Sequence, residues 1–91
     1  MFLASKCVQA RDMLKFYFDV IDSGHFNEDD EGQDLSSLAA ARREALRILP
    51  EVAREITAFD GDRRDVIVDV RDCTGRVIYT ATLSLLGRWL G

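Results

Sequence analysis

An acidic run at residues 27–34 is the stretch of this 91-residue sequence whose residue types most resemble a metal site. Asn27, Asp29 and Glu31 alternate as possible oxygen ligands, as in the calcium loop of a helix-loop-helix motif. The position where such a loop needs a bidentate Glu to close the site is Leu38. We therefore expect a solvated turn that leads into a helix, without specific calcium binding or a cofactor.

Residues that could support catalysis are few and scattered. The sequence has a single His, His25, and two cysteines, Cys7 and Cys73. None of them belongs to a pattern of nucleophile and base, and no glycine loop that would bind a phosphate is present in the sequence. A zinc site needs about four ligands, which these residues do not supply. We predict reduced thiols and a protein that is not an enzyme.

Arginines in the middle of the chain could contact the phosphates of a nucleic acid. We call this set the arginine face, and its members are Arg43, Arg47, Arg54, Arg63 and Arg64. Glutamates interleave with them at spacings that allow local pairing, and the net charge of the chain is -4. Because phosphate contacts dominate nucleic-acid affinity, this charge balance is unfavourable. A weak nucleic-acid binder is therefore the alternative function and not the preferred one.

The longest regular stretch, residues 29–56, would position these arginines on a helix. Its apolar residues recur at three- and four-residue steps, as on the buried face of a helix: Leu38, Ala41, Ala45, Leu49, Val52 and Ile56. Asp34 or Ser36 can cap the helix N-terminus. Pro50 lies on the polar side and removes one backbone hydrogen bond, so we predict a bend there.

Alternating apolar and polar residues on both sides of this helix predict strands. In chain order the predicted strands are residues 13–20, 25–28, 65–71 and 77–85. The pattern predicts an α+β fold of ββαββ type, a four-stranded mainly antiparallel sheet with one long helix packed on one face. Residues 1–12 show no periodicity, and we expect them to be a disordered or frayed extension before a single domain at residues 13–91.

A single helix would leave one face of the predicted sheet uncovered. The residues predicted to lie there, together with an aromatic residue near the end of the chain, are Tyr17, Ile67, Ile78, Thr80, Thr82 and Trp89. An uncovered, partly apolar face is typical of an interface with a second copy or with another protein. The edge of the short second strand is a further possible interface. We predict a non-catalytic protein-binding or regulatory module that forms a homodimer.

The composition gives no indication of membrane association or secretion. The sequence is 47% apolar and 31% charged, which is typical of a globular domain. Its first residues lack an apolar run long enough for a signal peptide. We predict a cytoplasmic location and no membrane partner.

Several segments together resemble a family of short uncharacterised bacterial proteins, a domain of unknown function. These segments are MLKFYFD at 13–19, DDEG at 29–32, EAL at 44–46 and VRD at 70–72, followed by Gly75 and Arg76. The resemblance covers residues 13–85 and implies an aromatic first strand, an acidic-glycine turn, an Ala- and Glu-rich helix and a closing hairpin. It implies no activity and no site residues. Residues 32–46 also resemble the helix entry of small antitoxin domains, which implies an antitoxin-like role.

Overall fold

The computed structural model describes residues 8–9, 13–54 and 62–91, which form one helix and an open antiparallel sheet. In chain order the elements are β1 (Val8–Gln9), β2 (Met13–Asp22), β3 (His25–Asn27), β4 (Gln33–Leu35), α1 (Leu38–Ala53), β5 (Arg63–Arg71) and β6 (Val77–Leu86). The main path of the sheet is β1-β2-β5-β6, and β3 and β4 also pair with β2. The predicted α+β class is therefore confirmed.

The predicted ββαββ order is matched only roughly, because two short strands were not expected. β4 forms in the acidic stretch before the helix, where Gln33 pairs with Phe16 and Leu35 pairs with Leu14. β1 forms within the predicted N-terminal extension, where Val8 pairs with Leu14. A strand of two or three residues is too short to show an alternating pattern of apolar and polar residues. Its formation depends on pairing with β2, which the sequence pattern does not indicate. The rest of residues 1–12 lies outside the described residues, and the frayed extension stays a prediction.

The helix begins one residue later than a cap at Ser36 predicts and three residues later than a cap at Asp34 predicts, and it ends earlier than predicted. Ser37 is the N-cap, and its side-chain oxygen accepts a hydrogen bond from the Ala40 N–H at 3.1 Å. The helix ends at Ala53, in the turn that contains the exposed Pro50. The Arg54 N–H donates to the Pro50 carbonyl at 3.0 Å. Residues 55–61 lie outside the described residues, and the bend at Pro50 stays a prediction.

The core lies between α1 and one face of the sheet. The helix contributes mainly small residues, and the sheet contributes branched and aromatic ones: Ala41, Ala45, Leu49 and Ala53 from α1, with Phe16, Phe18, Val66, Val68 and Val70 from β2 and β5. Leu38 was predicted to join this core but is 64% exposed, because it is the first residue of α1 and precedes the turn that contacts the sheet. Val52 is half-buried against the core. The helix therefore covers one face of the sheet, and no second helix covers the other face within the described residues.

Candidate functional site

The sheet face away from α1, which we call the open face, carries most of the predicted interface residues. Residues directly opposite each other in an antiparallel pair share a face. Tyr17 lies opposite Arg71, and Ile67 lies opposite both Ile21 and Thr82. By strand alternation Ile78 and Thr80 share this face with Thr82. Trp89 does not belong to it, since it lies in the segment that follows β6, where it is 92% exposed.

An ionic cluster, which the sequence interpretation missed, occupies the β2 and β5 side of the open face. The Arg71 guanidinium donates to the two carboxylate oxygens of Asp19 at 2.7 and 3.1 Å and lies 4.9 Å from the centre of the Tyr17 ring. Asp19 is only 3% exposed. Burial acts to raise the pKa of Asp19, but the hydrogen bonds from Arg71 and from the Asp29 N–H outweigh it and keep that pKa below its ordinary value. The alternation of side chains along β2 and β5 was the sequence signal that could have predicted Asp19 and Arg71 on the same face of the sheet.

The acidic turn before β4 is held against β2 by the carboxylate of Asp29. One oxygen accepts the Phe18 N–H at 3.0 Å, and the other accepts the N–H groups of Glu31 and Gly32 at 3.1 Å each. The Arg71 guanidinium also donates to the Asp29 backbone carbonyl at 2.9 Å. Within residues 13–54 and 62–91 no group of three or more metal-ligating side chains is close enough to hold an ion. The Asp29 carboxylate thus stabilises the turn by accepting hydrogen bonds from backbone N–H groups.

Gly32 lets this turn approach β2 closely, and Gly32→Ala is expected to lower the free energy of unfolding by about 2–3 kcal/mol. Gly32 has a φ of +75°, and an added Cβ would lie 3.0 Å from the Phe16 carbonyl oxygen and 3.0 Å from the Tyr17 ring. The matched control is Gly24→Ala, where φ is +88° but no atom lies within 4 Å of the added Cβ. Chemical denaturation of both variants checks the difference.

The Gly24→Ala control is expected to cost about 1 kcal/mol, from the positive φ alone. The excess at Gly32 therefore measures the close approach of the turn to β2. Equal losses in the two variants would contradict this account of the turn.

The structure does not bring the arginine face together. Arg64 is 5% exposed and points to the α1 side of the sheet, where it bonds Asp22. Arg63 lies on the other face of β5, 3.3 Å from the Asp65 carboxylate. Arg47 forms ion pairs with Glu44 and Glu51 on α1. Of the set, Arg43 and Arg54 are exposed, and within the described parts of the chain they form no salt bridge.

Exposed apolar side chains are concentrated instead at β6 and just after it. Their exposed fractions are 50% for Val77, 37% for Ile78, 78% for Leu86, 92% for Trp89 and 81% for Leu90. β6 ends the path of the sheet, so in residues 8–9, 13–54 and 62–91 its outer edge pairs with no strand. Its ten residues, VIYTATLSLL, include no charged residue and no proline. We define the β6 edge as this strand together with Trp89 and Leu90.

The expectation of reduced thiols is wrong for Cys73, which is disulfide-bonded. Nothing near Cys73 in the sequence indicated this bond, since a disulfide depends on distances that only the tertiary structure sets. Disulfides persist mainly in oxidising compartments, so the thiols no longer support the predicted cytoplasmic location, which stays a prediction. Separately, α1, the helix within the described residues, is not long and apolar enough to cross a membrane.

Comparison with protein families places the chain in a family. A family model described as a domain of unknown function, DUF6894, matches residues 15–84. The matched region runs from β2 to β6 and therefore includes the ionic cluster and most of the β6 edge. No curated protein and no solved structure matches the chain significantly.

Proposed function

Because the chain belongs to the DUF6894 family, whose function is unknown, we propose a function from the chemistry of its surface: a non-catalytic protein-binding module that acts through the β6 edge. The observation that carries this proposal is the outer edge of β6, which pairs with no strand of the described residues, has no charge and no proline, and is regular after a single bulge at Val77–Tyr79. Free N–H and C=O groups along an edge strand are a template for another strand. Proteins that avoid such pairing place charges, proline or a bulge on the exposed edge.

The exposed side chains of the β6 edge suit a protein partner. An added strand gains affinity from main-chain hydrogen bonds and specificity from alternate side chains. On the open face β6 offers Ile78, Thr80 and Thr82, and the following segment offers Trp89. Aromatic and aliphatic residues are typical of the buried centre of protein interfaces. The partner we propose is therefore a protein strand.

A non-catalytic role is supported by the arrangement of the buried and half-buried charges. Asp19 and Arg71 bond each other, Asp29 bonds backbone N–H groups, and Arg64 bonds Asp22. Each of these groups serves the fold, whereas a catalytic acid, base or nucleophile must be free to contact a substrate. The proposal therefore assigns them structural roles.

The nucleic-acid alternative receives less support from the arrangement of the arginines. Arg64 is buried, and Arg63 lies on the opposite side of the sheet from the α1 arginines. Arg47 is neutralised by two glutamates. Phosphate binding needs several unneutralised cations along one surface, because its affinity grows with the number of phosphates contacted.

Photo-crosslinking in cells tests this proposal. A benzoylphenylalanine at position 80, in place of the exposed Thr80 of β6, is expected to give a covalent adduct with a protein on irradiation. The matched control places the same residue at Arg43, which is also exposed but lies on α1. The adducts are separated by mass before and after nuclease treatment.

A discrete protein adduct from position 80 and none from position 43 is the expected result. If position 80 gives no protein adduct, the β6 edge binds no protein and the proposal fails. A nuclease-sensitive adduct from position 43 would instead support the arginine alternative.

A further inference from the structure

We infer that the protein bound by the β6 edge is a second copy of this chain, paired antiparallel through β6 about a two-fold axis at Thr82. This inference rests on the proposed function, since it names the partner for the same edge. The pairing would join the two sheets into one, with β6 of each copy at its centre. The open faces of the two copies would then form a single surface.

Symmetry limits the registers that such a pair can adopt. A two-fold axis perpendicular to the sheet keeps both open faces on the same side, and opposite residues must share a face. The open-face residues of β6 must therefore meet one another. By alternation from Thr82, which is opposite Ile67 of the same face, these residues are Ile78, Thr80, Thr82, Ser84 and Leu86, and Ile78 is the extra residue of the bulge between the pairs Val70–Tyr79 and Arg71–Val77.

The axis at Thr82 gives the register in which the exposed apolar residues meet. It places Ile78 of one copy opposite Leu86 of the other, twice in the dimer, and these side chains are 37% and 78% exposed in the single chain. Thr80 then lies opposite Ser84, and Thr82 lies opposite its own copy. An axis shifted by one residue, to Ala81, would place Ile78 opposite Ser84 and Leu86 opposite Arg76. Of these two registers, the one with its axis at Thr82 therefore pairs the exposed apolar residues Ile78 and Leu86 with each other.

Charge also favours β6 over the other side of the sheet. β6 is uncharged, so self-pairing brings no like charges together within the strand, and the only like charges that come level are Arg76 of one copy and Arg88 of the other, beyond the two ends of β6. The turn beside β2 on the other side carries a dense run of exposed or half-exposed carboxylates: Glu28, Asp29, Asp30, Glu31 and Asp34. Two copies that met there would oppose acidic residues, which is destabilising. A protein that bound to that side of the sheet would therefore need basic residues. The uncharged β6 can instead pair with β6 of a second copy.

A cysteine placed on the axis tests the register directly. Thr82→Cys would bring two Cα atoms to about 4.5–5.5 Å, a separation that a disulfide can span. The matched control is Thr80→Cys, because the two copies of residue 80 would lie roughly 13 Å apart along the strands. Under mild oxidation Thr82→Cys is expected to form a covalent dimer and Thr80→Cys to stay uncrosslinked. Efficient crosslinking of Thr80→Cys with none of Thr82→Cys would overturn this register.

Solution mass tests the dimer itself. Light scattering of the full chain is expected to give twice the 10.3 kDa of one chain. Thr82→Lys would place two ammonium groups opposite each other on the axis and is expected to raise the dimer dissociation constant about tenfold or more. Leu46→Lys, at an exposed position of α1, is the control and should leave the dissociation constant unchanged. Circular dichroism verifies that both variants fold.

The outcomes separate this inference from the proposed function. A wild-type chain that stays at the mass of one copy at several hundred micromolar overturns the second copy as partner. If such a chain still gives an adduct from position 80 with a different protein, the protein-binding function stands and only its partner is wrong. If no adduct forms at all, the function fails as well.

Discussion

Arg64→Ala is expected to lower the free energy of unfolding by about 3–5 kcal/mol, because removing the buried guanidinium leaves the half-buried Asp22 carboxylate and two carbonyl groups at the end of α1 without their partner. The guanidinium of Arg64 donates to both carboxylate oxygens of Asp22, at 3.0 and 2.7 Å. It also donates to the carbonyl oxygens of Val52 and Ala53 at the end of α1, at 3.2 and 3.4 Å. One side chain thus joins β2, β5 and the C-terminus of the helix.

The helix contacts make the Arg64 substitution more costly than the loss of an ion pair alone. The last carbonyl groups of a helix have no partner within it, and buried carbonyls without a partner are destabilising. A cation at this end also interacts favourably with the helix dipole. We therefore expect Arg64→Ala to reduce the helical signal at the end of α1 as well as the global stability.

Arg63→Ala is the control for Arg64→Ala. The two arginines are neighbours on β5, but Arg63 is exposed and forms a single contact with Asp65 at 3.3 Å. Exposed ion pairs contribute about 0–1 kcal/mol. Urea denaturation of both variants gives the comparison. Losses within about 0.5 kcal/mol of each other would show that the Arg64 contacts do not stabilise the fold.

Asp19→Asn is expected to lower the free energy of unfolding by about 2–4 kcal/mol at neutral pH. Asn keeps the size of the side chain but removes the charge that pairs with Arg71 in a nearly buried site. Arg71 would retain Glu28 at 3.7 Å, an exposed and weaker partner. The loss is measured by thermal or chemical denaturation.

The cost of Asp19→Asn should depend on pH in a defined direction. The pKa of Asp19 in the folded protein lies below its ordinary value. Its contribution is therefore complete above the pKa of the unfolded chain, about 4, and is lost as the pH falls through the lower pKa of the folded state. The difference between wild type and Asp19→Asn should be constant above about pH 5 and shrink below about pH 4. A difference that grows on acidification would contradict the Asp19–Arg71 account.

Asp69→Asn is the matched control on the same face. Asp69 lies directly opposite Asp19 on β5, and no ion pair of Asp69 occurs among the described residues. Because like charges directly opposite in a sheet are destabilising, removing this charge should leave stability unchanged or raise it slightly. The two substitutions make the same chemical change, and only Asp19→Asn is expected to lower the free energy of unfolding.

Local patterns in the sequence were sufficient for the main elements. Alternation gave β2, β5 and β6 to within about two residues, and the three- and four-residue spacing gave α1. Alternation also placed Ile67, Ile78, Thr80 and Thr82 on the face opposite the valines of β5. These features depend on neighbours close in the chain, which is the reason that the sequence alone specifies them.

Tertiary structure decided the features that depend on residues far apart in the chain. Arg71 is 52 residues from Asp19, and Arg64 is 42 residues from Asp22, so no local pattern indicated either pair. The pairing of β4 with β2 and the disulfide of Cys73 also depend on the tertiary structure. It was strand order that left β6 at an edge of the sheet. The sequence by itself determined that β6 is an uncharged strand, and only the fold decided that this strand is exposed, because an edge is defined by which strands pair and not by the residues of one strand.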